Sequence, residues 1–289
     1  MALKSCTQDP EEAPQDRAHI SKQDDPMVNY VQANGLKMAY QFDGPKDAPV
    51  LVLSNSLMST HRMWDPQMTA FTARYRVLRY DTRGHGATET TDGPYTIDLL
   101  ARDAAALIEA LDVRPVHFLG LSMGGMIAQR LSVNRPDLVR SLMLCDTASE
   151  MPTLAMWNDR IAVAQAHGIE GLLGGTIQRW FTPGFVERAP AAVGFVEGMI
   201  RDTGAKGYIA CASAVRDMSQ TDILKDITHP TLVLVGAEDP ACTPAQALVL
   251  HDNIAGSDHI VLKDAAHLAN IEKPVEFNAA VLAFLKRVS

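Results

Sequence analysis

The stretch Phe118-Leu119-Gly120-Leu121-Ser122-Met123-Gly124-Gly125-Met126-Ile127 limits what this chain can fold into more than any other. An apolar run, Val116 to Leu121, delivers Ser122 between Gly120 and Gly124, and a helical pattern follows from Met126. Gly-x-Ser-x-Gly between a strand and a helix is a nucleophile elbow. The serine takes a strained backbone conformation, and only glycine-sized neighbours let strand and helix approach closely enough. Such a turn holds the hydroxyl clear of the sheet's C-terminal edge and aims the first helix amides at the same spot. The pentapeptide alone turns up by chance in loops; the matching flanks make Ser122 the expected nucleophile.

The rest of the chain supplies the sheet that such a turn needs. Val28–Ala33 and Lys37–Phe42 read as short strands around Asn34-Gly35, a hairpin signal. Pro49–Leu53, Arg76–Tyr80 and Ser141–Leu144 are apolar runs of the buried, parallel-strand kind. A helical pattern over Thr96–Leu111 puts Leu99, Leu100, Ala104, Leu107, Ile108 and Leu111 on one face. Between about Ala148 and Thr221 only helical segments appear. Strand and helix then alternate again: Thr231–Val235, Thr243–Ile254, His259–Leu262 and Val275–Val288. Thr243 followed by Pro244 is an N-cap with proline at the first helical position. The expected fold class is α/β, a mostly parallel sheet with helices on both faces and a helical cap inserted. Residues 28–147 and 222–289 would form the core and 148–221 the cap. Ligands in such sheets bind beyond the carboxyl ends of the strands, so the cap should roof the site.

Composition narrows the partners. A formal net charge of −8, from 26 basic and 34 acidic side chains, argues against a nucleic-acid groove or an anionic membrane surface. Residues 1–27 carry three prolines, six acidic and three basic side chains, and read as a poorly ordered tail without signal-peptide character. No run is long enough to span a bilayer. The four cysteines are scattered without a Cys-x-x-Cys pair, which suits a reducing, cytoplasmic compartment. No metal-ligand spacing and no dinucleotide fingerprint appear, so no cofactor or metal is expected. The expected partner is a small molecule, and the sequence is compatible with a homo-oligomer.

A serine hydroxyl needs a general base at neutral pH, usually histidine. Of nine histidines, His61, His85 and His267 lie just past the carboxyl end of a strand. His267, near the C-terminus, stands where the chain order Ser…Asp…His places the base. His85, between two glycines, reads as a turn histidine, and His61 is a candidate to face the pocket. The imidazole needs a carboxylate to hold its tautomer and offset its charge. Asp239 ends the preceding strand and is preferred over its neighbour Glu238, with Asp146 as a second acid position. Two amides should meet the oxyanion: Met123 N–H, after the nucleophile, and Leu57 N–H, with Ser56 as the fallback.

The elbow, the Asp239 loop, the His267 loop and the helical insert together resemble the α/β-hydrolase family over essentially residues 28–289. The chain is further similar to the 3-oxoadipate enol-lactonases of aromatic-acid breakdown. That likeness rests on Ser54-Asn55-Ser56-Leu57, Met63-Trp64-Asp65-Pro66-Gln67, Tyr80-Asp81-Thr82-Arg83-Gly84-His85-Gly86 and Ala266-His267-Leu268-Ala269-Asn270. In the cap it rests on Trp157, Arg160-Ile161 and Arg179-Trp180-Phe181-Thr182-Pro183. The resemblance implies a serine hydrolase that opens a lactone or ester through an acyl-enzyme, with Ser122, Asp239 and His267 as its triad. Met58 stands where the lactonase pattern has glycine and would reshape the acyl pocket. Trp157 and Trp180 either line the pocket or join cap helices. Arg160 and Arg179 are candidates for an anionic substrate, although a surface position is the commoner fate of arginine. Competing readings on the same triad are an acyl-homoserine lactonase, a carboxylesterase, a C–C bond hydrolase and a cofactor-free perhydrolase. A ligand receptor of hydrolase fold is the non-enzyme alternative.

Overall fold

The structure, a computed structural model, describes residues 28–151 and 153–289. The tail expected over residues 1–27 lies outside the described residues. Eight strands form one sheet: β1 (Asn29–Ala33), β2 (Leu36–Asp43), β3 (Val50–Ser54), β4 (Arg76–Tyr80), β5 (Val116–Leu121), β6 (Val139–Cys145), β7 (Thr231–Gly236) and β8 (Asp258–Leu262). Their order is β1-β2-β4-β3-β5-β6-β7-β8. The pairs β1/β2 and β2/β4 are antiparallel and all others parallel. The interior strands β5 and β7 are buried at every position, which is why they read as largely apolar runs rather than alternating ones. The opening hairpin pairs Ala33 with Leu36, leaving Asn34 (φ 46°) and Gly35 (φ 75°) as a two-residue turn with both positions left-handed.

From β3 the chain passes first to β4 on one side and later to β5 on the other. The loop after β3 and the turn after β5 therefore leave neighbouring strand ends in different directions, and a crevice opens between them. Helices cover the sheet. After a short helical region, His61–Gln67 and α1 (Met68–Phe71), come α2 (Ile97–Ala110) and α3 (Met123–Asn134), which pack on each other. The Thr96 side chain caps α2 by accepting the Leu99 N–H, and Leu100, Ala104, Leu107 and Ile108 form its buried face. Between β6 and β7 lie five helices: α4 (Leu154–His167), α5 (Glu170–Trp180), α6 (Pro183–Arg188), α7 (Pro190–Asp202) and α8 (Ala205–Arg216). This segment holds one feature that the sequence reading left out, a bridge between Glu150 and Ser219 that pins its two ends together. Then follow α9 (Pro244–Asn253), with a full capping box between Thr243 and Gln246, α10 (Ala269–Glu272) and α11 (Pro274–Val288).

One core group carries a consequence for stability. His117, on β5, is 1% exposed; its Nδ1 bonds the Ser141 hydroxyl at 2.8 Å, and its Nε2 is buried without a partner among the described residues. Burial, with the charge of Arg140, pushes its pKa from 6.5 down to about 4. Between those values the unfolded chain binds a proton that the folded one refuses. Stability from this group is therefore complete above pH 6.5 and is lost as pH falls toward 4. Denaturant midpoints measured across that window should drop for the wild type and drop less for His117→Asn. Identical slopes would mean that other groups set the acid limit.

Candidate active site

Ser122 alone makes the turn between β5 and α3. Its backbone sits at φ 56°, ψ −117°, a left-handed conformation that an L-residue holds only when its surroundings enforce it. They do. Ser122 N–H donates to the Cys145 carbonyl at 2.9 Å, and the Ser122 carbonyl accepts from Gly125 N–H at 2.9 Å, Met126 N–H at 3.0 Å and the Thr147 hydroxyl at 2.7 Å. A Cβ on Gly124 would stand 2.1 Å from the Ser54 carbonyl oxygen, and one on Gly120 would stand 2.2 Å from the Gly124 carbonyl oxygen. The glycine spacing is thus a steric requirement of the turn.

His267 leaves the loop after β8 and is 2% exposed. Its Nδ1 lies 2.8 Å from Asp239 Oδ2, while Asp239 Oδ1 accepts Ala241 N–H at 2.7 Å and Cys242 N–H at 3.0 Å. With the carboxylate so occupied, Nδ1 carries the ring proton and Nε2 is free to accept one. Neighbouring Glu238 is exposed. Asp146, the second acid position, is fully buried but does not bond His267. Its Oδ1 accepts Gly236 N–H at 2.8 Å, and its Oδ2 has no partner among the described residues. Burial first, and the nearby Asp239 carboxylate second, raise the Asp146 pKa well above its ordinary value.

The loop after β3 brings Leu57 beside the elbow. Met123 N–H, at the first position of α3, and Leu57 N–H donate to no acceptor among the described residues. Ser56, the fallback donor, is disqualified: its N–H points at Met63 Sδ, 3.3 Å away. His85 does more than hold its own turn. Its Nε2 accepts Met58 N–H at 3.0 Å and so braces this loop from the end of β4, with Met58 itself at φ 64°. His61 does not line the cavity; its Nδ1 lies 3.0 Å from Asp81 Oδ1.

A cavity of about 80 Å³ under the helical insert is walled by Ser122 and His267 together with Met58, Trp157, Arg160, Arg179 and Trp180. Both tryptophans line it, and Trp180 lies 6.3 Å, ring to ring, from His267. The surface position expected for the arginines is not what the structure shows, because both sit half-buried in the cavity wall. Arg160 Nε donates to Tyr208 Oη at 3.1 Å, and its Nη2 reaches Thr176 Oγ1 at 3.3 Å and Met58 Sδ at 3.8 Å. Burial, with the charge of Arg160 beside it, lowers the Arg179 pKa. No hydrogen bond joins the Ser122 hydroxyl to His267 among the described residues; the hydroxyl lies against the Cys242 thiol on the same wall. Contacts of this kind are often long in an unliganded site and tighten around a substrate.

The model of the Alpha/beta hydrolase family matches residues 51–280. The chain belongs to the α/β-hydrolase family. It is therefore an enzyme, a hydrolase, and its relatives carry more specific names. It is 36% identical over 255 residues to 3-oxoadipate enol-lactonase 2 of Acinetobacter baylyi, which covers 88% of this chain and 95% of that protein. The crystal structure of the enol-lactonase from Burkholderia xenovorans LB400 superposes with a TM-score of 0.87 at 36% identity, over 89% of this chain and all of that one. An N-acyl homoserine lactone degrading enzyme aligns at 26% identity with a TM-score of 0.77, over 89% of this chain and all of that one. Within the described residues of this α/β-hydrolase, no group of three His, Cys, Asp or Glu could hold a metal ion. Sequence reasoning missed the bracing role of His85, the Cys242 thiol at the nucleophile, and Glu272 beneath the His267 loop. His85 was within reach, standing just past a strand end. The other two depend on packing between distant segments and leave no local signal.

Proposed function

We propose that the protein is a serine hydrolase that opens a small, carboxylate-bearing enol-lactone through an acyl-enzyme. The observation that carries this reading is one cavity holding the elbow serine, the Asp239-paired His267 and two arginines that form no ion pair among the described residues. His267 Nε2 takes the Ser122 proton as Oγ attacks the lactone carbonyl carbon. Leu57 N–H and Met123 N–H meet the oxyanion. The bond from the carbonyl carbon to the ring oxygen breaks, and the ring oxygen leaves as an enolate that takes the proton from His267 and becomes the ketone. Water, giving a proton to His267, then attacks the acyl carbon; Ser122 leaves and recovers the proton. An enolate is a far better leaving group than an alkoxide, so this machinery suffices. Arg160 and Arg179 would hold the carboxylate, where partial burial strengthens a charge-assisted pair. Trp157 Nε1, buried without a partner among the described residues, is a further donor for the substrate. Among the described residues no helix is long and apolar enough to cross a membrane. The small substrate, with no nucleic-acid or membrane partner, and a cytoplasmic location are part of the same proposal.

The names of the enol-lactonase relatives support the choice of lactone, and the homoserine-lactone neighbour supplies the competitor. An assay panel separates them. The carboxylate-bearing enol-lactone should be turned over faster than an acyl-homoserine lactone or p-nitrophenyl acetate, and Ser122→Ala should remove at least about 10⁴-fold of the rate. A homoserine lactone at the head of the panel would replace the substrate assignment, and an active Ser122→Ala would end the serine mechanism.

The two acids make opposite forecasts. Asp239→Asn should cut kcat by up to about 10⁴-fold, because an amide favours the wrong imidazole tautomer. Asp146→Asn should keep most of the activity, since burial already disfavours the charged carboxylate and an amide oxygen still accepts Gly236 N–H. Steady-state rates of the two folded variants decide between them, and the reverse ranking would move the acid to Asp146.

For the arginines, Arg160→Gln and Arg179→Gln should each raise KM for the anionic lactone by about tenfold or more. Hydrolysis of neutral p-nitrophenyl acetate should change little. Equal losses on both substrates would mean that the guanidinium groups shape the cavity rather than bind charge.

A further inference from the structure

Asp239 holds His267 from the core side. A second carboxylate, Glu272 at the end of α10, bonds both the same loop and the start of α6. Its side chain is fully buried. Oε2 accepts Ala266 N–H, the residue before His267, at 3.0 Å and also Thr182 N–H at 3.3 Å. Oε1 accepts the Thr182 hydroxyl and lies 3.8 Å from Arg188 Nη2. Thr182 is the N-cap of α6, where its hydroxyl also accepts Phe185 N–H. On the other side of the imidazole, Leu268 N–H donates to the Trp180 carbonyl at 3.0 Å. The residues immediately before and after His267 are thus both tied, directly or through Glu272, to the turn between α5 and α6. The far end of the loop is tied to the core, where Asn270 Nδ2 donates to the Met63 carbonyl at 3.0 Å and to Gln67 Oε1 at 3.1 Å.

A carboxylate sealed from water is costly unless its lone pairs are met, and here three protein donors meet them. Those donors come from the His267 loop and from the start of α6, so Glu272 joins the two alongside the Leu268–Trp180 bond. We propose that Glu272 is a positioning residue: with Thr182 it forms a latch that places His267 correctly only while the α5–α6 turn is seated on the core. The inference rests on the assignment of His267 as the base. With the turn seated, the Trp180 ring lies 6.3 Å from the imidazole and forms part of the cavity wall. Displacing the turn strains or breaks the bonds on both sides of the ring. The base is thereby complete only under a closed roof, when water is excluded.

The test separates misplacement of the imidazole from a general loss of structure. A displaced imidazole hurts most where the leaving group needs a proton from it, and least where the leaving group departs unaided. Glu272→Gln keeps the size but turns one acceptor into a donor, and Thr182→Val removes only the hydroxyl. For both variants kcat/KM is measured on an ethyl ester and a p-nitrophenyl ester of the same acid, with thermal unfolding alongside. Each variant should lose about tenfold more on the ethyl ester than on the p-nitrophenyl ester, with Thr182→Ser close to wild type on both. Equal losses on the two esters, or no loss on either, in a folded variant would overturn the latch. Should Glu272→Gln fail to fold, the Thr182 pair decides alone. A wild type that hydrolyses neither ester nor lactone would instead count against the proposed function.

Discussion

The contact on which the site depends is the close approach of α3 to the end of β3, where the Gly124 backbone lies against the Ser54 carbonyl. Three parts of the proposed chemistry come together through it. It fixes the nucleophile turn against the end of the strand that leads into the Ser54–Leu57 loop, the two places from which the proposed oxyanion donors come. It leaves no room for a side chain at Gly124, so the turn cannot relax by moving the helix outward. The strained Ser122 backbone is held by four hydrogen bonds because those neighbours are fixed in turn. Removing conformational freedom in advance lets an oxyanion be met without reorganisation at the moment of reaction.

Charge is distributed against the overall balance of the molecule. A chain with a net charge of −8 places two guanidinium groups in the wall of its cavity and keeps three acids beneath it. The acids are treated differently by their surroundings. Asp239 has both oxygens occupied and faces an imidazole, Glu272 is met by three donors, and Asp146 has one oxygen unmet among the described residues and a pKa raised by burial.

The parts of this arrangement that were legible in the sequence are those encoded locally. Buried strands announce themselves as apolar runs, and Thr243-Pro244 and Asn34-Gly35 mark a helix start and a turn by their own backbone preferences. Ser122, Asp239 and His267 could be ordered because each follows a strand whose carboxyl end the pattern located. What escaped depends on segments meeting at long range. Nothing near Arg160 shows that it faces inward, since its partners Tyr208, Thr176 and Met58 come from three other stretches. The short helical region at 61–71 has too few residues for periodicity to register, and Glu272 reads as an ordinary helix carboxylate until Thr182 is seen beside it.

The neck of the helical insert has a bearing on how such a molecule can change over time. Ser149 and Gln220 are joined by a backbone hydrogen bond of 2.9 Å, and the hydroxyls of Ser149 and Thr221 by another of 2.8 Å. Some seventy residues therefore leave the sheet and return to it at a single point. Lengthening a segment whose ends already meet adds only a logarithmic entropic penalty. The roof can be lengthened, shortened or exchanged while β6 and β7 stay paired, which leaves substrate choice open to drift without disturbing the scaffold beneath.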